Sequence, residues 1–313
     1  MDVTNELDVV VIGAGISGIY AAKFYLDMHP GCRLAILDRD NCVGGTWNSR
    51  RGYDSFWTQW TVGTAEFSDL PMPRPPEDDV YYEFFKAKHT TKYLESYVDH
   101  HSYGGQTLRD RIRFSTEVQS LVKPDGRWIV LTKDRVTGAE LVFRTPKLMV
   151  ASGLTSIANM PPLPGREDFR GQILHHEDFG SSNVLSTPKI QNIVVLGGGK
   201  SSADMVYEAV KAGKTVSWVL KATDTTGPGF FLSPKGKGPY KNAFEIGMTR
   251  LAGTFNPSFM NGINWWTRLL HCSKYGVRMM GTFWGAVDTA TRRDANFERE
   301  SLQGFEKLNP HSP

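Results

Sequence analysis

The sequence predicts an α/β protein with two Rossmann-like domains, of which the second is incomplete and is followed by a helical segment. Two observations predict this class. A short β-branched run leads into a glycine-rich turn and a helical stretch near the N-terminus, and the same order returns from residue 191. After residue 220, no further β-branched run of strand type follows. These patterns divide the chain into residues 1–160, residues 161–222, and a helical insert with a C-terminal tail over residues 223–313.

The first motif combines a strand, a turn, a helix and a second strand. Val9–Ile12 predicts a buried strand, and the GAGISG sequence after it is typical of a turn that needs three glycines. The first permits the tight turn, the second lets a pyrophosphate approach the backbone, and the third permits close helix packing. Leu34–Leu37 then ends at an acid that can accept hydrogen bonds from ribose hydroxyls. The motif predicts a dinucleotide site that uses Gly13, Gly15, Ser17, Gly18 and Asp38. A Rossmann-like turn that binds nothing is the alternative.

The second motif has the same plan but ends on the opposite charge. The strand Ile193–Leu196 precedes GGGKSS, and a further strand, Val216–Leu220, is followed by Lys221. Lys221 stands 24 positions after Gly197, much as Asp38 stands 25 positions after the first glycine of its own motif. An acid at this place suits a free ribose hydroxyl, whereas a cation suits a 2′-phosphate. We therefore predict a dinucleotide with a free ribose hydroxyl at the first motif and NADPH at the second, with contacts from Gly197, Gly199, Lys200, Ser201, Ser202 and Lys221. An ordinary surface lysine is the alternative for Lys221.

The composition is that of an ordinary globular protein, with 40% hydrophobic and 22% charged residues and a net charge of +3. The basic residues are scattered, so no nucleic-acid partner is expected. The three cysteines have neither metal-site nor disulfide spacing, which suits a reducing compartment and predicts no metal. No apolar run reaches the roughly 18 residues of a membrane span, and no secretory signal is visible. We therefore expect a cytoplasmic protein without a membrane partner.

Three further motifs resemble those of one protein family. Gly44-Gly45-Thr46-Trp47 follows the first acid, EFSDLPMP occupies residues 66–73, and FxGxxxHxxxF occupies residues 169–179. Together with the two nucleotide motifs, these sequences resemble the flavin-containing monooxygenases, including the related Baeyer–Villiger enzymes. Flavin disulfide reductases share the two-nucleotide plan but carry a redox cysteine pair where this chain has Trp47, so they match poorly. The resemblance implies that the dinucleotide at the first motif is FAD, with further contacts from Gly45, Thr46, Trp47 and Val118.

The resemblance implies an FAD-dependent monooxygenase that consumes NADPH. In such enzymes the reduced flavin reacts with O2 to a flavin hydroperoxide, which passes one oxygen atom to a small organic substrate. Similarity to fungal-type members suggests a hydrophobic secondary metabolite as that substrate. The cofactor carries this chemistry, so no residue is assigned a catalytic role. For His175, within FxGxxxHxxxF, a structural and a catalytic role both remain open.

The resembled family has a further C-terminal third that completes the second sheet, and this sequence shows no counterpart of it. A parallel sheet of two strands cannot bury both of its faces. We therefore expect a homo-oligomer or a complementary chain that supplies the missing third. The alternative function is a truncated, non-catalytic nucleotide-binding subunit, or one half of a two-chain monooxygenase.

Overall fold

The chain forms two compact units, and each unit is built from three segments that alternate along the sequence. The computed structural model describes residues 4–154, 156–220, 235–255 and 262–294. The first unit comprises Met1–Phe56, Glu66–Pro73 and Ala87–Ser182. The second unit comprises Trp57–Ala65, Arg74–Lys86 and Asn183–Pro313.

Both units contain strands and helices. The strands are β1 Thr4–Glu6, β2 Val9–Ile12, β3 Leu34–Leu37, β4 Trp57–Thr61, β5 Val80–Tyr81, β6 Phe84–Lys86, β7 Ser102–Tyr103, β8 Gln106–Thr107, β9 Ile112–Arg113, β10 Thr116–Val122, β11 Trp128–Asp134, β12 Glu140–Thr145, β13 Lys147–Val150, β14 Asn192–Leu196 and β15 Thr215–Val219. The helices are α1 Ile16–Met28, α2 Lys88–His100, α3 His176–Phe179, α4 Lys200–Lys211, α5 Ala243–Gly247, α6 Arg250–Phe255, α7 Trp265–Cys272 and α8 Lys274–Asp294.

A parallel sheet with the strand order β13-β2-β3-β9 forms the centre of the first unit. One of its faces packs against a second sheet, ordered β1-β12-β11-β10, whose last three strands are antiparallel to one another. Val10, Ala35 and Leu37 meet Val130 and Phe143 in the core between these two sheets. Because parallel sheets are stable when both faces are covered, this second sheet supplies one of the two required layers.

Helix α1 covers the opposite face of the parallel sheet. Its residues Ile19, Ala22 and Leu26 are fully buried, at the spacing of one helical face. Val9 and Val11 are also fully buried, and they alternate with the core residue Val10 along the strand. Burial of each such side chain contributes about 1.5–3 kcal/mol. The packing therefore fixes the direction of the turn that joins β2 to α1.

The second unit contains a shorter version of the same arrangement. β14 and β15 pair in parallel, and α4 packs against both strands. Val195 is buried, whereas Val194, Leu196 and Val219 are at least half exposed on the other face. Within the described residues, this pair has one covered face and one bare face. The predicted α/β class with two Rossmann-like domains is confirmed.

Two further parts of the second unit can be compared with the sequence. β4, β6 and β5 form a small antiparallel sheet, which the sequence analysis did not predict. Among the described residues of the predicted helical insert, the structure has helices α5 to α8. In the part of the chain that the structure describes, no helix is long and apolar enough to cross a membrane.

Candidate cofactor site

The turn between β2 and α1 is too tightly packed for side chains at two of its glycines. Gly13 has φ of 106°, and a Cβ atom there would lie 2.4 Å from the carbonyl oxygen of Ala151. At Gly18, a Cβ atom would lie 1.8 Å from the carbonyl oxygen of Gly13. The Gly13 amide donates to the carbonyl of Leu37 at 2.8 Å, which ties the turn to the end of β3. The backbone can approach itself this closely because both residues are glycine.

This turn opens onto a cavity of about 430 Å³. Of the nine residues predicted for the first site, eight line it: Gly13, Gly15, Ser17, Asp38, Gly45, Thr46, Trp47 and Val118. Gly18 is the ninth, and it acts by letting the turn close. A neighbouring cavity of about 300 Å³ shares Arg39, Asp40 and Arg51 with the first. Together the cavities have the size and concave shape of a cofactor site.

The Gly44-Gly45-Thr46-Trp47 segment packs directly onto the glycine turn. The Gly44 amide donates to the carbonyl of Ala14 at 3.0 Å. A Cβ atom at Gly45 would lie 3.1 Å from the Cα atom of Gly15, so the two backbones are in close contact. The Trp47 ring stacks on Phe56 with a centroid distance of 5.4 Å. Two stretches that the sequence separates by about thirty residues therefore form one wall of the cavity.

Asp38 lies at the end of β3, where its carboxylate is held by the backbone on both sides. Its Oδ2 atom accepts from the Ala14 amide at 2.5 Å, and its Oδ1 atom accepts from the Asp40 amide at 2.8 Å. Burial raises the pKa of this carboxyl above its ordinary value, and the two hydrogen bonds partly oppose that rise. Each carboxylate oxygen keeps a further lone pair, which is what a ribose hydroxyl would need.

The raised pKa of Asp38 predicts two opposite effects of acidification. Protonation removes acceptor capacity, so FAD affinity should fall as the pH falls through the raised pKa. Because burial raises the pKa of Asp38 in the folded chain above its value in the unfolded chain, the protonated carboxyl stabilises the ligand-free fold at low pH. This contribution is lost as the pH rises through the pKa of the folded state. FAD titration over a pH series measures how affinity depends on pH, and urea unfolding measures how stability depends on pH. Both are done for the wild type and for Asp38→Asn. Equal slopes in wild type and variant would contradict the assignment.

Sequence reasoning missed three polar residues beside the cavity. Asp40 and Asn48 are buried, and the Asn48 side-chain amide donates to the Asp40 carboxylate at 2.9 Å. The Arg51 guanidinium lies 3.5 Å from the same carboxylate and donates to the Gly45 carbonyl at 2.8 Å. The only signal in the sequence was a group of polar residues around the GGTW segment. Such residues are also typical of an exposed loop.

The second glycine turn, between β14 and α4, is more open than the first. Gly197 has φ of 112°, and Cβ atoms at Gly197 or Gly199 would meet no atom within 4 Å. Ser202, which replaces the third glycine, is buried and its hydroxyl donates to the Gly199 carbonyl at 2.6 Å. The turn therefore accommodates a side chain where the first one cannot.

The predicted second-site residues around this turn have different surroundings. Lys200 and Ser201 lie in the first turn of α4, whose N-cap is Gly199. The Lys200 ammonium forms an ion pair with Asp204 and donates to the carbonyl of Trp57 at 3.1 Å. Lys221 lies outside the described residues. The structure thus brings Gly197, Gly199, Ser201 and Ser202 together at one helix N-terminus, where the free amides favour an anion.

His175, whose role the sequence left open, has a structural contact here. It is the N-cap of α3, and its Nδ1 atom accepts from the Glu177 amide at 3.4 Å. Phe179, the last residue of FxGxxxHxxxF, is buried, and its ring lies edge-on to Tyr53 at 5.6 Å. The N-cap hydrogen bond favours the structural role for His175.

Comparisons with known proteins agree with this geometry. The profile of the family described as flavin-binding monooxygenase-like matches residues 6–240. The chain belongs to the flavin-binding monooxygenase-like family. Among curated relatives, an FAD-dependent monooxygenase of Pyrenophora dematioidea is 35% identical over 307 residues, covering 93% of this chain and 54% of that protein. The FAD-dependent monooxygenase resA of Aspergillus sclerotiorum is 31% identical over 300 residues, covering 90% and 49%.

Solved structures give the same family resemblance. The closed crystal structure of cyclohexanone monooxygenase has a TM-score of 0.57 and 25% identity, covering 78% of this chain and 42% of that one. An oxidized steroid monooxygenase bound to NADP has a TM-score of 0.56 and 25% identity, covering 75% and 41%. This member of the flavin-binding monooxygenase-like family spans about half the length of the curated relatives that it matches.

Proposed function

We propose that this chain binds FAD at the first glycine turn and NADPH at the second, and that it takes part in the oxygenation of a small organic substrate by O2. The proposal is carried by the eight predicted contact residues that line one cavity. FAD fits that site chemically, because the glycine turn presents free amides to a pyrophosphate and Asp38 presents a carboxylate to a ribose. Bound there, the flavin would accept a hydride from NADPH and activate O2 for transfer of one oxygen atom.

The chain's own residues would bind and orient this cofactor. The α1 N-terminus and its positive dipole end would hold the pyrophosphate, with Gly15 at the point of closest approach. Trp47 and Val118 supply apolar surface to the cavity wall. At the second turn, the α4 N-terminus would hold the NADPH pyrophosphate in the same way. The choice of NADPH over NADH is supported by the sequence position of Lys221. A hydrophobic secondary metabolite is our proposed substrate class, in keeping with the resemblance to fungal FAD-dependent monooxygenases.

A pair of matched substitutions tests both sites. Gly15→Val should abolish FAD binding in a fluorescence titration, because the side chain would occupy the place of the pyrophosphate. Gly199→Val makes the same change in the second turn, so it should leave FAD affinity unchanged and abolish NADPH binding. Full FAD affinity in Gly15→Val would overturn the first assignment, and loss of FAD in Gly199→Val would show that the two sites are not distinct.

A second candidate function is a non-catalytic nucleotide-binding subunit that associates with another chain. One observation favours it: in the part of the chain that the structure describes, Val194, Leu196 and Val219 form an exposed apolar face on the β14–β15 pair. A parallel sheet is normally covered on both faces, so this surface favours association. The two candidates differ in whether the 313-residue chain oxidises NADPH by itself.

A further inference from the structure

The end of FxGxxxHxxxF makes a tight backbone contact inside the first unit. A Cβ atom at Gly180, the residue after the motif, would lie 2.4 Å from the Gly52 carbonyl oxygen and 2.8 Å from the Arg51 carbonyl carbon. Gly180 has φ of −63°, a conformation open to any residue, so the contact and not the backbone torsion requires glycine here. Phe179 packs beside it, buried and edge-on to Tyr53. Residues 179–180 therefore hold residues 51–53 in place.

Arg51 extends from this contact to the cofactor cavity. Its guanidinium donates to the Gly45 carbonyl at 2.8 Å and approaches the Asp40 carboxylate at 3.5 Å, with both charged side chains largely buried. The Arg51 amide donates to the Asn48 side chain at 3.3 Å. One residue thus links the end of the motif to the GGTW segment.

The GGTW segment needs such an external support. Gly44 and Gly45 both have positive φ values, 117° and 58°. Two adjacent glycines have wide conformational freedom, so the local sequence does not by itself select this shape. The planar guanidinium of Arg51 offers several donors in a fixed geometry, which suits it to fixing a carbonyl and a carboxylate at once.

We propose that Phe179 and Gly180 are positioning residues for the FAD cavity, and that they act through Arg51 on the carbonyl of Gly45. In this role Phe179 and Gly180, which are not among the residues that line the two cavities, shape the cavity wall from behind it. The inference rests on the proposed function, because it assumes that the cavity binds FAD.

Gly180→Ala tests the inference in the 313-residue chain. The added Cβ atom should displace residues 51–52 and loosen the Arg51 hydrogen bond, which should raise the FAD dissociation constant roughly tenfold. Amide exchange in the FAD-free chain should become faster over residues 44–51 and stay unchanged in β2. Gly31→Ala is the matched control, since a Cβ atom at Gly31 meets nothing within 4 Å and both readouts should stay at wild-type values.

A double-mutant cycle decides whether Gly180 acts through Arg51. Arg51→Met should weaken FAD binding by itself, and Gly180→Ala should then add no further loss. Additive losses, or unchanged exchange over residues 44–51, would overturn the inference. If Gly180→Ala does not fold, Phe179→Leu carries the same test without a clash and should give a smaller loss of the same sign. If the wild-type chain binds no FAD, the proposed function fails, and amide exchange still decides whether residues 179–180 hold the GGTW segment.

Discussion

Gly18→Ala should destabilise the first unit by about 3 kcal/mol and leave no measurable FAD binding. The added Cβ atom would lie 1.8 Å from the Gly13 carbonyl oxygen and 2.9 Å from the Gly13 carbonyl carbon. Both atoms belong to the backbone of the turn, so no side chain can move aside to relieve the clash. Because the same turn forms the cofactor cavity, its distortion removes the site together with the stability. Urea unfolding and FAD titration measure the two losses separately.

Ser202→Ala provides the matched control for Gly18→Ala, since Ser202 occupies the equivalent position of the second motif. The second turn already accommodates a side chain there, so the substitution removes only the hydroxyl that donates to Gly199. The expected cost is about 1 kcal/mol. A Gly18→Ala variant as stable as Ser202→Ala would show that the first turn can relax, contrary to its packing.

The second large effect that we expect is uncoupling. The 313-residue chain with FAD should convert most of the NADPH that it oxidises into hydrogen peroxide and little of it into oxygenated product. Two residues that line the cavity, Leu154 and Ile157, are exposed to solvent, Leu154 fully and Ile157 to 80%. Water therefore has access to the cavity, and exclusion of water is what protects reactive intermediates from side reactions.

The uncoupling is measured by parallel assays of NADPH consumed, hydrogen peroxide formed and product formed, with small amines, sulfides and ketones as trial substrates. Gly15→Val supplies the background rate, because it should not hold the flavin. Product formed in a one-to-one ratio with NADPH would contradict the prediction and show that this chain shields the flavin by itself. No NADPH oxidation above the background would favour the non-catalytic subunit.

The local patterns of the sequence were sufficient to predict the elements that hold the first site. The sequence predicted two strands, Val9–Ile12 and Leu34–Leu37, and the helix between them. This was possible because the hydrophobic pattern of each element lies within a few consecutive residues. The contact of Ala151 with Gly13 was not predictable in this way, because it joins residues far apart in the chain. The link from Arg51 to Gly45 was hidden for another reason: an arginine in a polar loop has many possible partners.

Lys200 illustrates a third limit on what the sequence can predict. The sequence predicted it as an NADPH contact, and the structure places its ammonium beside Asp204, one helical turn further along α4. A spacing of four residues on a helix is itself a sequence signal for such a pair. A positive residue near a nucleotide motif can therefore serve the helix, the ligand or both, and the sequence alone does not choose among these roles.

The alternation of the chain between its two units determines how the protein can be divided. A cut after Ser182 would not release two intact units, because residues 57–65 and 74–86 would remain on the N-terminal fragment. The C-terminal fragment would then lack β4, and Lys200 would lose the Trp57 carbonyl to which it donates. Isolation of the first unit would instead require short artificial joints from Phe56 to Glu66 and from Pro73 to Ala87. Fragment complementation, in which two separately expressed pieces reassemble, is consequently a better genetic test of this chain than deletion of either half.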